Sequence, residues 1–316
     1  MHPAKSVIFF TTASGAGYGL FALFVLMDLA GLVPPAPAVT WTVCGLSFAL
    51  IVAGLLSSTF HLGHPERAWR ALSQWRSSWL SREGVMAIIS FGPMGAYALA
   101  RLIFPDLSTA WQPALGGLAI ACAVLTVYCT AMIYGSLKTI PAWSNPVTPV
   151  GYLAMAAASG AILLNAIAFL MGFVSPQIVN VTAILLLIAM AVKMIYWRRI
   201  RDAAPRSTAE SATGLGDMGK VHLFEAPHDG DNYLMTEMGF RIARKHAFRL
   251  RRIALMWGFL FPLLSVTAAG FATGIMASLF IAISVVTGAV GLLAERFLFF
   301  AEAKHTVMLY YGDRSV

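Results

Sequence analysis

The sequence predicts an all-α integral membrane protein: one bundle of eight transmembrane helices, with a short interfacial helix and a long connection between helices six and seven. Three observations predict it. The 316 residues are 59% hydrophobic and only 11% charged, with mean hydropathy +0.75, far from the roughly 25% charged content of a soluble domain. Apolar runs recur at the length of about 20 residues that a helix needs to cross a hydrocarbon core. Basic residues gather in every second connection. Because hydrocarbon offers no partner to a lone backbone N–H or C=O, runs well beyond the length of a barrel strand must close their hydrogen bonds as helices.

The first run, residues 7–30, starts close to Met1. It outlasts the apolar region of a signal peptide, and no small-x-small cleavage pattern precedes polar sequence, so it reads as a retained helix. Runs at 39–60, 85–104 and 113–137 follow, with Cys44, Cys122 and Cys129 inside them. Without a CxxC pair, these cysteines support neither a disulfide framework nor a four-thiolate cluster and read as packing residues. Runs at 149–173 and 177–197 share a short turn; after the connection 198–250 come 251–272 and 275–300. A single domain, 1–316, is expected. No internal repeat is strong enough to indicate an inverted-repeat transporter. Asp28, Lys193, Glu295 and Arg296 fall near span ends, so a charge relay across the membrane has no evident stations.

Eight spans put the N-terminus, the connections 61–84, 138–148 and 198–250, and the C-terminus on one face. Of the 22 Lys and Arg, only Arg101 belongs to the far face. Cytoplasmic connections collect Lys and Arg, so the basic face should be the cytoplasmic one, with both termini there. The net charge of +8 then reads as a topology signal with attraction for anionic lipids. It calls for no nucleic-acid partner, since no basic stripe stands on a soluble fold.

The segment His61–Gly84, HLGHPERAWRALSQWRSSWLSREG, carries the chemistry. Pro65 can open a helix, and Trp69, Leu72, Trp75 and Trp79 then share about a third of its circumference, as expected of a short helix lying on the membrane surface. Arg67 and Arg70 point away from that stripe, whereas Arg76 falls on it and must snorkel or find an acceptor. An aromatic belt with basic anchors explains Trp69, Trp75, Trp79 and Arg76 without any further role. His61 and Glu83 stand where a span meets the border, partly desolvated yet reachable by protons. Such a His can hold a carbonyl or deliver a proton that a nearby carboxylate refills. Capping or headgroup contact accounts equally for both residues. Burial and neighbouring Arg82 would act on Glu83 in opposite directions, and which prevails stays open.

The motif HLGHPERAWRAL followed by SWLSREG resembles the anchor subunit of the dimethyl sulfoxide reductase family, the eight-helix quinone-interacting component of membrane-bound molybdenum enzymes. Ser136–Tyr152 (SLKTIPAWSNPVTPVGY) and Ala294–Gly312 (AERFLFFAEAKHTVMLYYG) are similar to further family segments, so the resemblance covers most of the bundle. It implies that the protein holds an iron–sulfur subunit and a molybdopterin catalytic subunit at the membrane. It also implies that the protein exchanges electrons with a quinone, ubiquinone or menaquinone, without haem or cluster of its own. By motif position, the family's quinone-site histidine falls on His61 and its acidic partner on Glu83, with Arg67 a further candidate.

The inventory agrees, because these residues have no evident means of ligating a redox centre. No spacing matches a familiar metal site. Connection 198–250 is longer than the family's, too long for a simple turn, and is expected to be a docking surface. In it Asn232–Arg252 combines apolar residues with Arg241, Arg244 and Lys245, as a basic amphipathic helix for lipid or an iron–sulfur partner would. A catalytic partner on the cytoplasmic side of a bacterial inner membrane favours the sulfite-oxidising branch of the family, with electrons passing from sulfite to quinone. The alternatives are the anchor of a dimethyl sulfoxide or related reductase that oxidises quinol, or a purely structural anchor.

Overall fold

A computed structural model of the protein describes residues 5–62, 64–104, 111–225, 230 and 244–316, without the side chains of His61 and Trp111. The spans are α1 (Lys5–Leu29), α2 (Pro37–Ser57), α3 (Trp79–Ile103), α4 (Trp111–Gly135), α5 (Val147–Leu170) and α6 (Pro176–Asp202). After a short α7 (Ala209–Thr213) come α8 (Ala247–Leu255), α9 (Phe261–Ala269) and α10 (Gly274–Ala301). α8 and α9 are joined through a π-turn, Met256–Leu260, into one span, Ala247–Phe271. Pro262 has no N–H to return to the preceding turn and its ring crowds it, so a wider turn there is the accommodating geometry. Among the described residues, eight helical stretches are thus long and apolar enough to cross a membrane, and the protein is a multi-pass membrane protein.

α1 runs through the middle and packs on α2, α4, α5 and α10. Leu20, Phe21, Phe24 and Val25 on it are fully enclosed, which is why the run is apolar all round. The outer helices show the reverse: Ile88, Leu99, Leu118, Leu187 and Val286 lie exposed where lipid would cover them. Between helices the close approaches fall on glycine. A Cβ on Gly160 would lie 2.3 Å from the Gly19 carbonyl carbon, and one on Gly291 would lie 1.9 Å from the Gly258 nitrogen. Small residues let helix backbones meet where apolar burial gives no net drive between them.

Two boundaries differ from expectation. α3 begins at Trp79 rather than 85, because the Ser78 hydroxyl accepts from the Ser81 N–H and caps the helix early. α6 continues to Asp202 rather than 197, with Arg199 and Arg201 in its last turn, where cations suit the negative end of the helix dipole.

The basic face carries a cap. The segment after α6 pairs with the C-terminal residues: Val316 N–H donates to Ser207 O at 2.9 Å and Arg206 N–H to Val316 O at 2.8 Å. Thr306 N–H bonds Thr139 O at 3.1 Å, tying in the α4–α5 connection. Of the expected amphipathic helix Asn232–Arg252, residues 232–243 lie outside the described residues, and from Ala247 onward the backbone already belongs to the seventh span. On the far face, Arg101 pairs with Asp28 at 2.7 Å and donates to Pro34 O at 3.0 Å, while Tyr97 donates to Asp28 at 2.6 Å. The single far-face cation is therefore neutralised inside the protein.

Candidate functional site

The segment between α2 and α3 starts with a 3₁₀ turn, Ser58–His61, and continues as a second 3₁₀ helix, Pro65–Gln74. At three residues per turn, side chains spaced by three line up. Trp69, Leu72 and Trp75 therefore share one edge, with both Trp exposed. Trp79, which α-helical spacing would place on the same stripe, does not belong to this edge. It sits in the first turn of α3, its ring 5.9 Å from that of Tyr128 on α4. Arg76 lies over the Trp75 ring at 5.5 Å, and exposed Arg67 faces Glu66 at 3.7 Å. His61 closes the first 3₁₀ turn at the border, and its side chain lies outside the described residues.

Glu83 points the other way, into the bundle, and is 6% exposed. It faces the Thr130 hydroxyl of α4. Neighbouring Arg82 does not compete for it. That guanidinium donates to Trp75 O at 2.9 Å and Arg76 O at 2.7 Å and lies 4.3 Å over the Trp79 ring. Among the described side chains, no cation pairs with Glu83.

Glu83, Thr130, Tyr152 and Arg296 each stand four or five residues from the basic-face end of their helices. At 1.5 Å rise per residue this is a common depth of about 6–8 Å. Thr130, Tyr152 and Arg296 line a polar cavity with Thr11, Thr12 and Ser14 of α1. Its volume of about 10 Å³ fits one water molecule, with polar partners on several sides. Tyr152 Oη and Arg296 Nε are buried without a hydrogen bond of good geometry among the described residues, and the two side chains lie against each other. The Arg296 guanidinium lies 4.0 Å over the Tyr152 ring and 3.2 Å from Glu295, whose carboxylate also pairs with buried Lys193 of α6.

Thr12, Ala16, Ser159 and Leu292 border both this cavity and an apolar groove of about 260 Å³ between α1, α2, α5 and α10. Phe9, Leu46, Leu50, Ile162 and Val285 also line the groove. A mostly apolar cleft that ends on a few convergent polar groups is the ordinary form of a small-molecule site. No three His, Cys, Asp or Glu side chains converge among the described residues.

Sequence alone assigned no role to Tyr152 and placed Arg296 among the span-end charges. A signal existed, since both lie in the blocks Ser136–Tyr152 and Ala294–Gly312. These blocks interlock in space. Trp143 Nε1 donates to Phe299 O at 2.8 Å, the two rings stack at 5.7 Å, and His305 meets Trp143 edge-on at 5.4 Å. Burial and the nearby Arg244 guanidinium hold the His305 imidazole below its ordinary pKa. Of the residues expected to dock a partner, Arg241 lies outside the described residues and Lys245 is exposed. Arg244 instead donates to Ala301 O at 3.1 Å and Ala303 O at 2.8 Å, closing the end of α10.

Eight apolar spans, a cap on one face and a polar layer one turn beneath it describe a membrane-embedded protein. The protein belongs to the DMSO reductase anchor subunit (DmsC) family, whose model matches residues 1–301. It is similar to the C subunit of the sulfite dehydrogenase of Allochromatium vinosum, 33% identical over 325 residues that cover 98% of this chain and 99% of that protein. It is also similar to the C component of the anaerobic dimethyl sulfoxide reductase of Escherichia coli, 30% identical over 108 residues, 33% of this chain and 36% of that protein. The YnfH component of an anaerobic dimethyl sulfoxide reductase of Escherichia coli is 31% identical over 122 residues, 37% of this chain and 41% of that protein. No solved structure matches.

Proposed function

We propose that this anchor subunit passes electrons from an iron–sulfur partner subunit to a membrane quinone, as part of a complex whose molybdopterin subunit oxidises sulfite. The observation that carries the reading is the apolar groove bordering the cavity of Thr130, Tyr152 and Arg296, with Glu83 facing Thr130 from α3. The groove suits an isoprenoid tail, and its polar end suits a ring whose oxygens need hydrogen-bond donors and protons. A quinone reduced there takes up two electrons and two protons. Tyr152 Oη and Arg296 Nε stand ready to orient a ring oxygen, directly or through one water. Glu83 holds a proton beside Thr130 and returns it to the layer, and His61 at the border refills it from the basic face. Arg67 remains an outer candidate in this scheme, exposed on the interfacial segment.

Likeness to a sulfite dehydrogenase subunit over nearly the whole length favours sulfite as the partner's substrate over dimethyl sulfoxide. The distribution of Lys and Arg supports an inner-membrane orientation with both termini cytoplasmic and the partners docked there. The lone far-face arginine, cancelled by Asp28, strengthens that asymmetry.

The test uses the purified complex. Glu83→Gln and His61→Ala should each leave assembly and dye-linked sulfite oxidation intact while lowering quinone-linked turnover by about 100-fold, the usual scale for a lost general acid–base group. Quinone turnover at the level of the unaltered complex in both variants would refute the assignment.

A further inference from the structure

A second cavity lies on the basic face, away from the groove. It occupies about 410 Å³ where the ends of α6, α8 and α10 meet the α4–α5 connection and the C-terminal residues. Arg199, Arg201, Arg206, Arg244, Arg251 and Lys304 line it, and Glu302 is the one acidic side chain among its described lining residues. The six cations outnumber the carboxylates near them, which are Glu302, the terminal carboxylate of Val316 and, beside Arg201, Asp202. Part of this set is committed internally: Arg251 donates to Glu302 at 2.6 Å, Arg201 to Asp202 at 3.0 Å, Arg206 to Ser144 O at 3.0 Å, and Arg244 to the carbonyls that end α10. Arg199 and Lys304 are exposed and form no ion pair among the described residues.

Like charges gathered in a concave site repel one another, and the cost falls when an anion enters. Planar guanidinium forks match the paired oxygens of phosphate, and a lysine adds a mobile point charge. The cavity lies where transmembrane helices end, at headgroup depth, and basic pockets between helix ends there suit acidic headgroups.

We propose that this cavity binds a phosphate oxyanion, with Arg199 and Lys304 as its free ligands and Arg206 and Arg251 fixing its orientation. Two sources present that chemistry at this depth: the phosphodiester of an acidic phospholipid in the adjoining leaflet, and phosphate in the aqueous phase. Bound phosphate would link α6, α10 and the C-terminal residues, so occupancy should raise stability by mass action.

The experiment is thermal unfolding of the full-length protein in its complex, reconstituted in phosphatidylcholine nanodiscs. One arm adds phosphatidylglycerol in increasing fraction, and a second adds inorganic phosphate to the pure phosphatidylcholine discs, with equal ionic strength throughout. Arg199 and Lys304 are exposed, so Arg199→Ala/Lys304→Ala should fold, and Arg199→Lys/Lys304→Arg keeps the charge. Saturable stabilisation by phosphatidylglycerol supports the lipid source, and by inorganic phosphate the soluble one. In either case the alanine pair should need at least ~10-fold more ligand, the scale of one lost charge-assisted bond, and the charge-keeping pair should respond nearly as the natural protein does. No stabilisation in either arm, or an equal response from the alanine pair, would overturn the proposal.

Discussion

Side chains that look alike in the sequence take opposite roles once placed. Arg82 and Glu83 are neighbours, yet one turns to the carbonyls of the interfacial segment and the other to the interior. Lys193, Glu295 and Arg296, which read as span-end charges, form a buried cluster linking α6 and α10. Removing the carboxylate would leave two cations side by side in a low-dielectric site. Removing the lysine would leave a compensated pair. We therefore expect Glu295→Gln to destabilise the protein by about 3–5 kcal/mol and Lys193→Met by clearly less, measured by unfolding in detergent. Equal losses would contradict this view of the cluster. His61 and Glu83 could be singled out in the sequence because charge beside an apolar run is conspicuous. Tyr152 could not, since an aromatic residue on an apolar helix has no pattern that tells a ligand from a core residue.

At the level of elements, the eight spans were legible because length and hydropathy alone decide them. Their ends were less so. A serine cap moves the start of α3 to Trp79 and so places Glu83 inside a helix, and no hydropathy window registers a cap. The interfacial segment was expected to follow α-helical spacing, and its 3₁₀ form instead aligns Trp69 with Trp75 and leaves Trp79 to α3. The α1–α5 crossing yields a direct prediction. Gly160→Ala should lower thermal stability by about 1–3 kcal/mol through overpacking, because its Cβ would collide with the Gly19 backbone. Gly151→Ala on the same helix, whose Cβ meets nothing within 4 Å, should change little. Equal effects would show that this crossing is looser than the geometry states.

Across the whole molecule, polarity is divided by depth and by face. The far face holds one cancelled arginine, the middle is apolar, the polar layer lies one turn below the basic face, and the cap covers it. A quinone-linked anchor needs this order, because electrons and protons arrive from the side where the partners dock while the carrier comes through lipid. A reporter fused after Val316 should show cytoplasmic activity, and periplasmic alkaline phosphatase activity there would reverse the orientation. The groove itself was hidden from the sequence. It is assembled from α1, α2, α5 and α10, whose facing residues differ from other apolar positions only in what lies across from them.

The most direct measurement is labelling of the purified complex with a photoreactive quinone analogue, followed by peptide mapping. Crosslinks should concentrate on the α1, α5 and α10 residues that border both groove and polar layer, near Thr12, Ser159 and Leu292, and should fade when unlabelled quinone competes. Competed labelling confined to the far half of the bundle, or none that competes at all, would contradict the account.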